Sequence, residues 1–518
     1  MNRRISILCL AWCLIFAGWS WGAQGCQAGM GPLRFRITLS PEIAPQGASG
    51  RLFVLMSTAS EKRDMLRTGF VPTSTGLSAM EVEHLGAGES LTFDPDVKAY
   101  PRPFSQLQPG RYQFMALLDP EHRLPYFGQG EGDLVGPVAA FENFDPSCTK
   151  EVSLSIDRRL GARRARKENA NITLAEFTSP LLSAFWGRPI KMRAGVVLPK
   201  DFAANPAELY PAVYDVHGYG GDYRGAWDAG PALIEAISEG RRAKMVHIFL
   251  DGSLPSGHHE FADSANNGPW GQALVSEFIP WLEKNYRLIP KPHARFLTGH
   301  SSGGWSTLWL QVNYPDFFGG TWSTAPDPVD FRNFTGIDVT AGSKENVYRS
   351  ADGKERNLVR FGGNNVVSFE QFAEQEEVQG EYGGQLASFE WVFSPKGPDG
   401  RPMRLFNRKT GEKDPAVQLA WQTYDIRLIL DRKWESLGPL LKGKIHVFCG
   451  GEDTFHLNEA VSLLCEFFKA KNSDAGCEIV PGRDHSNLYQ SYKTYPEGLG
   501  ARIDQEMWQA FVSARKDK

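Results

Sequence analysis

The sequence predicts an α/β architecture: a mainly parallel sheet with helices on both faces, preceded by a β-sandwich. Three observations carry this expectation. Short apolar runs with β-branched residues recur at 192–198, 212–216, 245–250, 295–298 and 445–449, as buried parallel strands require. Between them, apolar residues fall at helical spacing: Leu274, Phe278, Trp281, Leu282; Trp305, Leu308, Trp309, Val312; Leu457, Val461, Leu464, Phe468. Upstream, apolar and polar residues alternate with period two, and no helical pattern intervenes.

Residues 1–25 read as an export signal. Arg3 and Arg4 supply a positive start, residues 5–16 are apolar, and small residues follow at Gly18, Ser20, Gly22 and Ala23. The apolar run is shorter than the roughly 20 residues of a membrane-spanning helix. A secreted or periplasmic location is therefore expected. Ala23-Gln24-Gly25-Cys26 is a weak lipoprotein-type site, with Cys26 the residue that would carry lipid.

Residues 31–157 carry the alternation: Leu33, Phe35, Ile37, Leu39; Tyr112, Phe114, Ala116, Leu118; Val152, Leu154, Ile156. Turn signals such as Pro109-Gly110 separate the strands, so an immunoglobulin-like β-sandwich is expected. Residues 158–170 include Arg158, Arg159, Arg163, Arg164, Arg166 and Lys167, and read as a solvated linker. The α/β region occupies 171–518. Residues 331–413 interrupt its rhythm, being rich in Gly, Asn and charge. That stretch is too long for a plain loop and reads as an inserted lid or cap. Asp414-Pro415 then restarts regular structure with a cap and a first-turn proline.

Composition narrows the function classes. With 42% hydrophobic and 22% charged residues the chain is globular, and its net charge of −4 removes the electrostatic motive for binding nucleic acid. No later segment is apolar enough to span a membrane. The seven cysteines include no C-x-x-C pair. A zinc ribbon or thioredoxin-like site is not suggested, and Cys465 and Cys477 read either as a pair in an exported chain or as buried free thiols.

The chemistry centres on Gly299-His300-Ser301-Ser302-Gly303. It follows an apparent strand and precedes an apparent helix, the context of a nucleophile elbow. A serine there projects above the sheet on a strained turn, at the positive end of a helix. The spacing of Gly299 and Gly303 selects Ser301 over Ser302. A serine needs a base to take its proton. His485 lies on a loop after the last apparent strand, 478–480. The orienting acid belongs after the preceding strand, where Asp453 is favoured over Glu452 and Asp484. An oxyanion needs two amides: Ser302, following the nucleophile, and Tyr219 or Gly218 in His217-Gly218-Tyr219-Gly220-Gly221. His300 and His456, with Gly218, are candidates to line the substrate pocket. His258-His259-Glu260 lacks the H-E-x-x-H spacing, so no metal and no other cofactor is expected.

These residues resemble the family of esterases that includes esterase D (S-formylglutathione hydrolase), feruloyl esterases and enterochelin esterases. The similarity runs over about 179–488. It includes Gly187-Arg188, Asp251-Gly252, Glu277-Phe278-Ile279-Pro280, the elbow, Tyr314-Pro315-Asp316-Phe317-Phe318 and Asp484-His485-Ser486. The resemblance implies an α/β-hydrolase fold, a Ser301-Asp453-His485 triad and an ester substrate, aromatic or carbohydrate-linked. The long interval from Ser301 to Asp453 departs from the family's pattern. The expected function is an exported serine carboxylic-ester hydrolase working through an acyl-enzyme. A prolyl-oligopeptidase-type serine peptidase, an acyltransferase and a non-catalytic binding module on the same scaffold are the alternatives.

Overall fold

Apolar runs flanked by turns assemble into one eight-stranded sheet. In this computed structural model, residues 32–58, 64–69, 75–122, 130–161, 166–380 and 384–516 are described. The strands of the sheet are β1 (Ile172–Ser179), β2 (Ile190–Val197), β3 (Ala212–Val216), β4 (Val246–Leu250), β5 (Arg295–His300), β6 (Gly320–Thr324), β7 (Ile445–Gly450) and β8 (Gly476–Val480). Their order is β1-β2-β4-β3-β5-β6-β7-β8. The pairs β1–β2 and β2–β4 are antiparallel, and every pair from β4 to β8 is parallel.

Helices cover both faces: α1 (Gly225–Ser238), α2 (Ser302–Asn313), α3 (Leu457–Ala470) and α4 (Leu499–Lys516). Helix α2 is buried along its whole length from Ser302 to Val312, so apart from Gln311 its buried residues are apolar or small on every side rather than striped. This is an α/β-hydrolase sheet, and residues at the carboxyl ends of β3, β5, β7 and β8 meet at one edge.

Upstream, antiparallel pairing dominates. A three-stranded sheet (Ser90–Phe93, Arg34–Leu39, Glu151–Ile156) faces a seven-stranded one whose centre is Ala48–Thr58 between Thr75–Leu85 and Gly110–Asp119. Phe35, Ile37, Leu39, Phe114, Ala116, Leu118, Val152, Leu154 and Ile156, the apolar members of the alternation, share one core. Arg158–Arg159, expected at the start of the linker, instead pairs with Leu134–Val135, so the β region runs beyond 157. Lys167 is tied down by the Trp227 indole and Arg166 by Asp228, both on α1. Arg163 and Arg164, the signal segment 1–25 and Cys26 lie outside the described residues. Cys465 and Cys477 form a disulfide.

The segment 331–413, expected as a lid, is a packed layer with regular elements of its own. It contains a hairpin (Asn357–Phe361, Asn364–Ser368) and helices Phe369–Gln379 and Gln385–Phe393. Phe331, Phe334, Phe389 and Phe393 join Trp305, Trp309 and Trp421 in one buried cluster. The first helix also docks on the β region. Arg51 Nε donates to the Val378 carbonyl at 2.8 Å, its second terminal nitrogen to the Glu377 carbonyl at 3.0 Å, and Gln379 to Thr68 at 3.0 Å. The insertion thus bridges the two regions. Asp414 caps the next helix, Pro415–Trp421, as its sequence implies.

Candidate active site

Strand β5 ends at His300 and α2 begins at Ser302, so Ser301 occupies the turn between them. Its backbone sits at φ 60° and ψ −125°, a conformation that costs a side-chain-bearing residue free energy. Neighbouring groups hold it there. The Ser301 amide donates to the Thr324 carbonyl at 3.0 Å, and the Ser301 carbonyl accepts from the amides of Trp305 at 3.0 Å and Asp327 at 3.2 Å. The motif's glycines are steric necessities. A Cβ at Gly303 would lie 1.8 Å from the Val216 carbonyl oxygen, and one at Gly299 would lie 2.4 Å from that of Gly303. Only a bare backbone lets α2 start this close to β3.

Strand β3 ends at Val216, and the loop after it runs against the serine. A Cβ on Gly218 would stand 3.1 Å from both the His300 carbonyl and Ser301 Cβ. His217 fixes this loop. Its Nε2 accepts from the Gly252 amide at 2.8 Å, which leaves the proton on Nδ1 to donate to the Gly218 carbonyl at 2.7 Å. The Tyr219 side chain packs on the core beside the insertion. At the start of α2 the Ser302 amide has no intrahelical acceptor, as for every first-turn amide.

Strands β7 and β8 deliver the other pair. His485 Nδ1 lies 2.8 Å from Asp453 Oδ2, with Asp453 fully buried. Asp453 Oδ1 accepts from the amides of Phe455 at 2.9 Å and Leu457 at 3.3 Å. Burial pushes the Asp453 carboxyl up, but the charge and hydrogen bond of His485, with those amides, hold it below its ordinary value. For His485, burial pulls down, while Asp453 and then Asp327 raise it above the usual imidazole value. The two competitors lie elsewhere: Glu452 is exposed, and Asp484 caps Ser486 and Asn487.

The other sequence candidates separate. His300 packs behind the base, its ring 4.5 Å from that of His485 and its Nδ1 3.1 Å from Thr324 Oγ1. Burial and the neighbouring His485 charge pull its pKa down to about 3, so it stays neutral. That position sets it directly beside His485. His456 turns toward Glu459 at 3.5 Å, on its own helix. His258 and His259 are buried, and each accepts a backbone amide through Nδ1. Among the described residues no group of three or more His, Cys, Asp or Glu side chains could hold a metal ion.

Two contacts were not anticipated. Asp327, on the loop after β6, receives the Ser301 hydroxyl at 3.4 Å and the Ser302 hydroxyl at 2.6 Å. Arg360, on the insertion's hairpin, donates to the Asp453 carbonyl at 2.8 Å and to Asn458 at 3.0 Å. Neither carries a local sequence signal, since both act across long separations.

The model of the family described as Putative esterase matches residues 187–496, more than half of the chain. The chain belongs to this family. Two esterases of Mycobacterium tuberculosis, from different strains, are 26% identical to it over 146 residues, 28% of this chain and 31% of each relative. The match therefore spans less than a third of those relatives' length. Among solved structures, a ferulic acid esterase aligns over 66% of this chain and 100% of its own, at 13% identity and a TM-score of 0.41. An S-formylglutathione hydrolase from Staphylococcus aureus covers 66% of this chain and 98% of its own, at 13% identity and a TM-score of 0.36.

Proposed function

We propose that this member of the esterase family is an exported serine carboxylic-ester hydrolase. Ser301 Oγ attacks the ester carbonyl while His485 Nε2 takes its proton. Asp453, bonded to Nδ1, holds the tautomer and stabilises the imidazolium that forms. The amides of Ser302 and Tyr219 stabilise the oxyanion. Collapse breaks the bond to the alcohol, which leaves with the proton from His485. Water, deprotonated by the same imidazole, then attacks the acyl-enzyme and frees Ser301 with the acid as product.

The observation that supports this reading is the 2.8 Å bond between His485 and Asp453, with the His485 ring 4.5 Å from that of His300, the residue before the strained Ser301 turn. Export is supported by the leader-like start and by the Cys465–Cys477 disulfide, which suits an oxidising compartment. Among the described residues no helix is long and apolar enough to cross a membrane. An aromatic or carbohydrate-linked ester is proposed as substrate on family resemblance.

The test is turnover by the purified protein on a panel of p-nitrophenyl, aromatic and sugar esters, beside a peptide anilide and a Ser301→Ala control. Ester hydrolysis abolished by the substitution supports the reading. Anilide cleavage exceeding ester cleavage, or activity that survives Ser301→Ala, overturns it.

A further inference from the structure

Beneath the nucleophile lies a pair of buried carboxyls that the acyl-transfer scheme does not use. Asp327 is 3% exposed and Glu260, on the loop after β4, is 1% exposed. The Ser302 hydroxyl donates to Asp327 Oδ2 at 2.6 Å, and Ser302 also neighbours Glu260. One turn along α2, Ser306 Oγ sits 2.7 Å from the Ser302 carbonyl and 2.9 Å from Glu260 Oε2.

Glu260 Oε2 accepts the Ser306 hydroxyl, while among the described residues its buried Oε1 has no hydrogen-bond partner and no Lys or Arg pairs with it, so ionising Glu260 would leave an uncompensated buried charge. His258 Nδ1 already accepts the Glu260 amide at 3.0 Å and stands 3.4 Å from Glu260 Oε1. The Asp327 oxygens, by contrast, receive hydroxyls from Ser301 and Ser302, as a carboxylate does.

We propose that Glu260 and Asp327 share one proton, carried by Glu260, and that the charge left on Asp327 positions the Ser301 turn and favours protonation of His485. The proposal rests on Ser301 and His485 acting as nucleophile and base. Asp327 is a positioning residue in this scheme, acting through the hydroxyls of Ser301 and Ser302 and on His485. The charged and titratable groups facing the pair are His485 and Asp453 toward Asp327, and His258 and His217 toward Glu260. Burial, then the Glu260 charge, pushes Asp327 up to about 7, and burial holds Glu260 well above the ordinary range. Asp327 feels the Glu260 charge, and carboxyls coupled in this way do not titrate independently.

The test is the pH profile of kcat/KM for p-nitrophenyl acetate, normalised to each protein's plateau, in wild type, Asp327→Asn and Glu260→Gln. Asp327→Asn removes a charge beside His485, so its acid limb is expected to move down by about one pH unit. Glu260→Gln removes the competing carboxyl, so Asp327 ionises earlier and the limb is expected to stay or move up. A structural defect alone lowers the plateau without this divergence. Profiles that superimpose, or that move together, overturn the proposal. Infrared spectroscopy of the wild type needs no folded variant: a protonated carboxyl band must persist at mildly alkaline pH, and its absence also overturns the proposal. Fluorophosphonate labelling of wild type but not Ser301→Ala checks the nucleophile separately. Labelling that holds while the limbs fail to diverge removes only the carboxyl pair.

Discussion

Replacing Asp453 by Asn leaves the shape of the side chain and removes its charge. In the native protein Oδ1 takes the amides of Phe455 and Leu457, and Oδ2 faces His485 Nδ1 at 2.8 Å. Asn keeps the first contacts by presenting its carbonyl there, so its NH₂ group turns to Nδ1. That stabilises the tautomer with the proton on Nε2, which cannot take a proton from Ser301. In a serine-protease triad the equivalent change costs ~10⁴ in kcat, about 5.4 kcal/mol of barrier. A loss of this order is expected here in steady-state p-nitrophenyl ester hydrolysis, with KM little changed. The stability difference has a pH signature. His485 is raised by Asp453, so its contribution is present below about pH 6.5 and lost as pH rises through its folded value. Asp453 is depressed, so its contribution is present above about pH 4 and lost as pH falls through its folded value. The melting-temperature gap between wild type and Asp453→Asn should therefore peak at mildly acidic pH and narrow on either side. A kcat within about tenfold of wild type would refute the reasoning.

Three further outcomes follow from packing. Gly303→Ala places a methyl group 1.8 Å from the Val216 carbonyl, so the protein should lose fluorophosphonate labelling and melt well below wild type; a soluble, fully labelled variant contradicts the packing. Arg360→Met removes the bond to the Asp453 carbonyl, worth about 1.5–3 kcal/mol for a charged donor. It should lower kcat roughly tenfold, and an unchanged kcat means the insertion does not support the acid loop. Cys477→Ser opens a link spanning 12 residues and should cost roughly 2–3 kcal/mol in denaturant unfolding. No change in the transition midpoint tells against it.

Much of the fold was legible because parallel strands buried on both faces leave unbroken apolar runs. Ala212–Val216 coincides with its sequence pattern, while β5 and β7 extend theirs by two residues and one residue respectively. Strand β1 was not read. It is an edge strand whose Glu176 pairs with Lys191 and Arg193, so its outward residues dilute the apolar signal. The insertion hid its helices for a related reason. In Phe369–Gln379 the buried positions include Gln375, Glu376 and Gln379, and Gln375 and Gln379 find their partners more than 300 residues away. Polar side chains satisfied over such distances look like surface in a sequence.

The candidate site divides along the same line. Ser301 was visible from the steric pattern of Gly299 and Gly303, and Asp453 and His485 from their place after late strands. Asp327 lies in Thr324-Ala325-Pro326-Asp327-Pro328, which resembles an ordinary turn; only the packed α2 brings it to Ser302. His300 looked like a pocket residue from its position beside the nucleophile. Its ring packs 4.5 Å from that of His485.

Mass-spectrometric mapping of a fluorophosphonate adduct bears most directly on the account. One adduct is expected, on Ser301 alone, with none formed by the Ser301→Ala protein. An adduct on Ser302 or another serine, or a folded native protein that forms none, would contradict it.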